Sequence, residues 1–416
     1  MIVEPAAGRP ALSLPEVSTV TTLRQRNRAV VLKHVILAQE TTRAAIAREC
    51  GLSAASAANL VADLITAGLV EERGSVSSRG GRPITLIGPR ADSAVTVGAD
   101  IGERGVAVEM FDLAMNRVDR EFHGGAAEES PERIGAGLHA ALEALRERNA
   151  RRWPTLLGIG LGLPGLVEVD PDGRQILYAQ SLGWPPVPVT SLCDVPGVMV
   201  LAENGAKMQS RAELWFGNAR GCDHALVALL GRGAGLGVVS DGRIARGSRS
   251  SAGEWGHMVI QRGGRVCRCG NRGCVQAYIG ADAILSAWRE TGARFEGTGW
   301  RALGELIAAA QRGDRAAAGV VDDVVDCLGA ALGGLVNLTG PERIIIGGWV
   351  GLRLMESLGD RIRAAIARHS LARPAGQFTL HGAAFGGDGV ATGAALLPLE
   401  ALIAADPAGH GRTAGS

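Results

Sequence analysis

One imidazole and three thiols fall within eighteen residues. Gly253-Glu254-Trp255-Gly256-His257 is followed, after a basic hairpin, by Cys267-Arg268-Cys269-Gly270-Asn271-Arg272-Gly273-Cys274. Gly270 and Gly273 let the backbone turn tightly enough for the thiols to converge, so His257, Cys267, Cys269 and Cys274 make a Cys₃His set of the kind that holds zinc. The alternatives are a chance cluster or a disulfide. A bridge between Cys267 and Cys269 would close a strained ring, the chain shows no secretory signal, and the cysteines at 50, 193, 222 and 327 are scattered singly. Four protein ligands leave no open coordination position, so the expected Zn²⁺ holds shape rather than activating water.

The 416 residues suffice for two or three domains, each with a core, and 46% apolar with 20% charged residues is ordinary for a soluble globular protein. A formal net charge of +1 gives no general affinity for polyanions, so any nucleic-acid contact needs a local patch. No apolar run approaches the roughly 20 residues of a membrane span. The opening MIVEPAAGRPALSLPE lacks the basic-then-apolar order of a signal peptide. The expected setting is the cytoplasm, with reduced thiols and no membrane partner. Lys occurs only at 33 and 207, and the Arg preference reads as that of a GC-rich genome.

Residues 1–20 read as a loose tail and 21–90 as a DNA-binding domain. Apolar positions at helical spacing predict a helix over Leu23–Ala38 and a second over Thr42–Cys50; Gly51-Leu52 turns the chain and Ser53 caps a third helix to about Ala67, where Gly68 stops it. Leu69–Glu72 and Ile84–Ile87 then read as the strands of a wing, completing a winged helix-turn-helix. The alternative is a small helical bundle used for dimerisation or packing. Residues 1–90 hold 11 Lys/Arg against 7 Asp/Glu, and much of the excess lies at Arg24, Arg26, Arg28, Lys33, Arg73, Arg79 and Arg82, where phosphates would lie. The candidate DNA contacts are Arg43, Ser53, Ala54, Ala55, Ser56, Asn59, Arg79 and Arg82. The small residues permit close approach to a major groove and Asn59 can pair with adenine, while Arg79 and Arg82, on a Gly frame, suit a narrow A·T-rich minor groove.

After about residue 92 the pattern changes to strands and Gly loops. Ala94–Ile101, Val106–Leu113 and Asn116–Phe122 read as strands, and the order returns with Ala225–Leu230, the turn Gly231-Arg232-Gly233-Ala234-Gly235-Leu236-Gly237, and Val238–Ile244. Gly158–Gly165, Val198–Leu201 and Glu342–Gly348 supply further strands with Gly turns, and a helix spans about Ala316–Leu338. A strand, Gly turn and returning strand, twice, suggests a tandem duplication: two lobes that each offer a phosphate loop across a cleft, the two-lobed actin-like (ribonuclease H-like) α/β fold of sugar kinases. Asp100, Gly102, Gly231, Arg232 and Gly233 are the phosphate-loop candidates. This body is assigned residues 91–405, with 406–416 a second tail.

These motifs resemble the ROK family (repressors, open reading frames, sugar kinases), in its transcription-regulator branch, from about 23 to 400. The most specific marks are Gly253-Glu254-x-Gly256-His257 with Cys267-x-Cys269-Gly270-x-x-Gly273-Cys274, and Gly80-Gly81-Arg82-Pro83 after the winged helix. The resemblance implies zinc near a sugar pocket, homodimers or tetramers, and DNA binding altered by a sugar or by a partner protein, a phosphotransfer-system protein in some relatives. Asn204, Glu254, His257 and Gln276 match its sugar contacts; a solvated carboxylate for Glu254 and a turn-forming role for Asn204 stay open. The kinases carry Glu-Asn-Asp-Ala where this chain has Glu203-Asn204-Gly205-Ala206, and glycine cannot take the sugar's proton. Gln276 replaces a glutamate, Arg232 a threonine, and Trp349 a small residue beside the adenosine. The expectation is a sugar-responsive DNA-binding regulator, a repressor in preference to an activator, with no catalytic residue. Its effector is a sugar or a sugar phosphate drawn by Arg232, and it reads two half-sites of an operator. An active hexose kinase with a regulatory head and a constitutive DNA-binding protein are the rivals.

Overall fold

The structure, a computed structural model, describes residues 20–77, 83–102, 105–124 and 130–404. Two compact units divide it: one reaches to Arg90 and includes the chain from Ala401, and the other spans Ala91–Glu400. Among the described residues no helix is long and apolar enough to cross a membrane.

In the first unit α1 (Val20–Ala38), α2 (Arg43–Glu49) and α3 (Ala54–Thr66) precede an antiparallel pair, β1 (Val70–Val76) and β2 (Ile84–Pro89). Their apolar stripes form one core: Val31, Leu32, Val35 and Ile36 of α1, Ile46 of α2, and Ala57, Leu60, Val61 and Leu64 of α3 are all buried. The Thr42 and Ser53 hydroxyls cap α2 and α3, each accepting from the amide three residues on at 3.1 Å. Gly51 and Gly68, at φ +65° and +72°, supply the left-handed residues that end α2 and α3. Thr41 pairs with Ile87 in both directions, a single-residue bridge beside β2. Helix, turn, helix and β-ribbon in this order make a winged helix-turn-helix.

One arginine of the wing is not where the charge pattern put it. Arg73 donates from Nε to Glu71 Oε1 at 3.1 Å, from Nη1 to the Gln39 carbonyl at 3.4 Å, and from Nη2 to the Pro89 carbonyl. It braces the ribbon instead of presenting a free cation. Ser53→Ala is expected to cost about 1 kcal/mol through the lost cap. The check is amide exchange across α3 in the full-length chain: exchange unchanged from the parent would mean that the hydroxyl contributes nothing as a cap.

The second unit begins with an antiparallel meander, β3 (Val95–Gly102), β4 (Gly105–Asp112) and β5 (Arg117–Gly124), then α4 (Pro131–Arg148) and β6 (Leu156–Leu163). A three-stranded antiparallel sheet of β7 (Leu166–Val169), β8 (Gln175–Tyr178) and β9 (Val187–Pro188) follows, then the single turn α5 (Val189–Leu192), β10 (Val200–Asn204) and α6 (Gly205–Phe216). The second half repeats the scheme with β11 (Ala225–Leu230), β12 (Ala234–Ser240) and β13 (Arg243–Ile244). The helices α7 (Gln276–Ile279), α8 (Ala281–Glu290), α9 (Gly299–Gln311) and α10 (Arg315–Thr339) come next. The chain finishes with β14 (Arg343–Gly347), α11 (Gly348–Arg368), the short α12 (Ala372–Ala375), β15 (Thr379–Gly382) and α13 (Gly389–Ala404).

The two main sheets have the orders β10-β6-β3-β4-β5 and β15-β14-β11-β12-β13. In each, three strands form an antiparallel meander and two more add in parallel on the far side. The duplication read from the strand and glycine pattern is therefore a duplication of topology. The helix expected after the first strand-Gly-strand unit is α4, while the small β7–β9 sheet and helices α8 and α9 had no motif to announce them.

β6 shows how sequence sets the packing. Gly158, Gly160 and Gly162 alternate with Ile159, Leu161 and Leu163, so one face of the strand carries no side chains. α13 lies on that face, although it follows the last strand of the other sheet. A Cβ on Gly160 would stand 1.8 Å from the Ala394 carbonyl oxygen, and one on Gly98 of β3 would stand 1.9 Å from that of Ala391. Gly393 of α13 returns the contact to α6, 1.8 Å from the Met208 oxygen by the same measure. The closing helix thus touches the first sheet backbone to backbone.

Candidate metal centre and ligand cavity

The metal-ligating candidates converge. The ligand atoms of His257, Cys267, Cys269 and Cys274 lie within 4.8 Å of one another, with Cys269 Sγ 3.8 Å from Cys274 Sγ and Cys267 Sγ 3.8 Å from His257 Nδ1. Thiolate-to-metal distances of about 2.3 Å in a tetrahedron separate two sulfurs by about 3.8 Å, so the set fits a tetrahedral ion. All seven cysteines are free thiols. The hairpin is built by bridges Val259 to Cys274 and Val266 to Arg272, and Gly270 and Gly273 turn at φ +92° and +79°. A Cβ on Gly273 would meet the Gln261 carbonyl oxygen at 1.7 Å, so no other residue fits beside Cys274. With Nδ1 turned to the thiols, His257 also lines a neighbouring cavity.

That cavity, of about 490 Å³, lies in the second unit and is lined by Asn204, Glu254, His257 and Gln276 together. The four sugar-binding candidates come from three separate stretches of chain, and only folding places them on one wall. Asn204 is largely occupied: its Oδ1 accepts from the amides of Ala206 at 2.9 Å and Lys207 at 3.4 Å, capping α6, and its Nδ2 donates to the Gly165 carbonyl at 2.8 Å. The turn-forming role left open for it is real, and one N–H remains for a ligand. Gln276 Oε1 accepts from the Ala234 amide at 3.3 Å. Burial pushes the Glu254 carboxyl up, with His257 and Lys207 pulling the other way.

Asp100, Gly102, Gly231 and Gly233 line the same cavity, and Arg232 does not. Its Nε pairs with Asp282 Oδ2 at 3.2 Å, at the start of α8. The expected attraction of a sugar phosphate by Arg232 is corrected accordingly: a carboxylate fifty residues away holds the guanidinium outside the wall. Gly205 does line the cavity. A Cβ there would find its nearest neighbours at 3.7 Å and the backbone φ is not positive, so packing does not require glycine at the position.

Sequence reasoning missed what lies behind this wall. Lys207 is 1% exposed and its Nζ sits 3.5 Å from Glu203 Oε1, donating to the carbonyl and the hydroxyl of Ser250. Glu203, also buried, takes Arg246 Nε on its other oxygen at 3.1 Å. Glu203 lies at the end of β10 and Lys207 in the first turn of α6, so the pair spans a strand-to-helix junction; the one signal in the sequence was that Lys207 is one of only two lysines.

A second charged group ties the first sheet to the loop before α13. Arg117 and Arg120 of β5 pair with Asp388, in the loop before α13, at 2.8 and 3.2 Å, and both stand 3.4 Å from Glu109 Oε1 beneath them. Burial, reinforced by Asp388, pushes Glu109 up to about 7 against the pull of the two arginines. The unfolded chain releases this proton near its ordinary value while the folded chain keeps it to about pH 7. Glu109 therefore lowers stability as pH rises from roughly 5 to 7 and adds no further change above that. Glu109→Gln should flatten the fall, seen as melting temperatures of parent and variant that separate between pH 5 and pH 8. Parallel curves would contradict it.

In α3 of the first unit, Ser53, Ala54, Ala55, Ser56 and Asn59 are exposed, on the face away from Ala57, Leu60, Val61 and Leu64. Arg43 Nη2 pairs with Glu72 Oε1 at 2.7 Å, tying α2 to the wing. Arg79 and Arg82 lie outside the described residues.

The ROK family pattern matches residues 96–401. The chain belongs to the ROK family. It is 29% identical to the xylose repressor of Caldicellulosiruptor bescii over 336 residues, which is 79% of this chain and 84% of the relative. It is 30% identical to a glucokinase of Halalkalibacterium halodurans over 284 residues, 66% of this chain and 84% of the enzyme. Among solved structures it matches a ROK family transcriptional regulator, a homologue of the Escherichia coli MLC protein, with a TM-score of 0.73 at 24% identity over 92% of this chain and 97% of the other. The fold of this ROK chain is thus a two-lobed actin-like body, preceded in the chain by three helices and a β-ribbon in the order of a winged helix-turn-helix.

Proposed function

We propose that this ROK protein is a sugar-responsive DNA-binding transcriptional regulator, a repressor, whose kinase-shaped body binds ligand without phosphorylating it. The observation that carries this reading is the composition of the cavity wall. Asn204, Glu254, His257 and Gln276 converge on it, while position 205, where the related kinases carry the base, presents glycine in a space that would admit a side chain. The likeness to a xylose repressor over most of both chains supports the regulatory reading, and the exposed small face of α3 suits a major groove.

Zinc is the metal that three thiolates and one imidazole suit best, and it would be structural here, fixing the hairpin from which His257 reaches the cavity. The ring nitrogen of His257 not turned to the thiols would face a sugar hydroxyl, beside the Glu254 carboxylate and the Gln276 amide. A ligand that prefers one arrangement of the two lobes would shift DNA affinity by that preference and no more. A homodimer would offer two heads to two half-sites of an operator, A·T-rich if Arg79 and Arg82 enter a minor groove. The working compartment would be the cytoplasm, and a phosphotransfer-system protein is a candidate partner.

The test is selection of bound duplexes from a random library, then titration of the selected DNA with a panel of pentoses, hexoses and their phosphates. One sugar class should change operator affinity by about tenfold or more. Sugars that bind yet leave DNA affinity unchanged would refute the proposal. A second reading, an active kinase, is favoured by the phosphate-loop residues Asp100, Gly102, Gly231 and Gly233, which still line the cavity. Formation of ADP by the parent protein with any panel sugar would establish that reading instead.

A further inference from the structure

We infer that the effector is a glycan longer than one ring, a disaccharide, with Phe122 as the platform for its second sugar; this deepens, and rests on, the sugar-binding reading above. The first-ring candidates gather at the end of β10, the turn before His257 and α7. Phe122 stands apart from them, on β5, the outer strand of the first sheet. The strand register links the two places: Asp100 of β3 pairs with Ala107 of β4, and Ala107 pairs with Phe122. Cross-strand neighbours point to the same side of a sheet, and Asp100, Ala107 and Phe122 all line the cavity. The methyl group of Ala107 leaves a shallow floor between the Asp100 carboxylate and the aromatic ring.

The Phe122 residue is 53% exposed, although it is large and apolar. Arg120, two residues back on the same face, lines the wall beside it. A pyranose has a rim of hydroxyls and a face of C–H bonds, and that face packs on the electron-rich face of an aromatic ring while the rim keeps its polar contacts. At about 490 Å³ the cavity lies within the roughly 300–1,000 Å³ of sites that bury a drug-sized ligand, a size class that includes a disaccharide. A single sugar held by Asn204, Glu254, His257 and Gln276 would leave Phe122 in water.

The experiment is calorimetric titration of the full-length, metal-loaded protein with xylose and glucose, and with xylobiose and cellobiose. One disaccharide should bind about tenfold or more tighter than its own monosaccharide, as ring stacking predicts. Phe122→Ala should remove that advantage and leave monosaccharide affinity within about twofold, while Phe122→Trp, which keeps a platform, should retain it. Equal affinity for both sizes in the parent, or equal weakening of both by Phe122→Ala, would overturn the inference. Monosaccharide binding alone defeats only this inference. Binding of neither size defeats the sugar-responsive reading as well.

Discussion

Cys274→Ser is expected to empty the metal site, lower stability by about 4 kcal/mol and abolish ligand binding together. Cys274 is buried at the base of the hairpin, its sulfur 3.8 Å from that of Cys269, and Gly273 beside it has no room to shift. A hydroxyl is a poor substitute for a thiolate at a tetrahedral zinc, and three remaining ligands would hold a buried set of unmatched groups. The effect would reach the cavity because His257 both joins the cluster and lines the wall, so an unanchored imidazole would cost the proposed sugar contact as well as the proposed metal ligand. Metal content by mass spectrometry, thermal unfolding and sugar calorimetry on the same preparation would follow the three changes. Full metal content with an unchanged melting temperature would exclude a structural metal at these four residues.

Gly160→Ala should destabilise the protein by about 3 kcal/mol or more, a large response to one methyl group. The added Cβ would fall 1.8 Å from the Ala394 oxygen and 2.5 Å from its carbonyl carbon, atoms of the helix backbone that no rotamer change can move. α13 would have to lift from the first sheet, and Val390 at its start, which lines the cavity, would move with it. Gly205→Ala is the matched control. Its nearest neighbours are at 3.7 Å, it opens a twelve-residue helix, and it should be neutral or stabilising by a few tenths of a kcal/mol. Chemical denaturation of the two variants separates the cases, and similar midpoints would mean that α13 can adjust its seat.

The local elements were legible in advance because short-range signals set them. Ser53 capped the third helix as its position before an apolar run required, Gly68 ended that helix, and the repeated strand-Gly-strand order became two sheets of the same topology. Other elements were opaque. β7–β9 are four residues or fewer each, too short for a period-2 pattern to stand out. Arg73 and Arg232 were misread for a common reason: a sequence counts charges, and whether a guanidinium is free depends on acceptors that the fold brings to it.

By itself the sequence determined the Cys₃His cluster, the capped helices, the glycine face of β6 and the glycine at position 205. Each of these depends on residues within a few turns of one another, where chain geometry leaves little choice. Tertiary structure alone decided that Asn204, Glu254 and Gln276 share a wall with a metal-ligand candidate, and that Phe122 lines the same cavity. Those juxtapositions are set by sheet register and by the seat of α13 on bare backbone, and contacts between separate stretches of chain leave no periodicity to read.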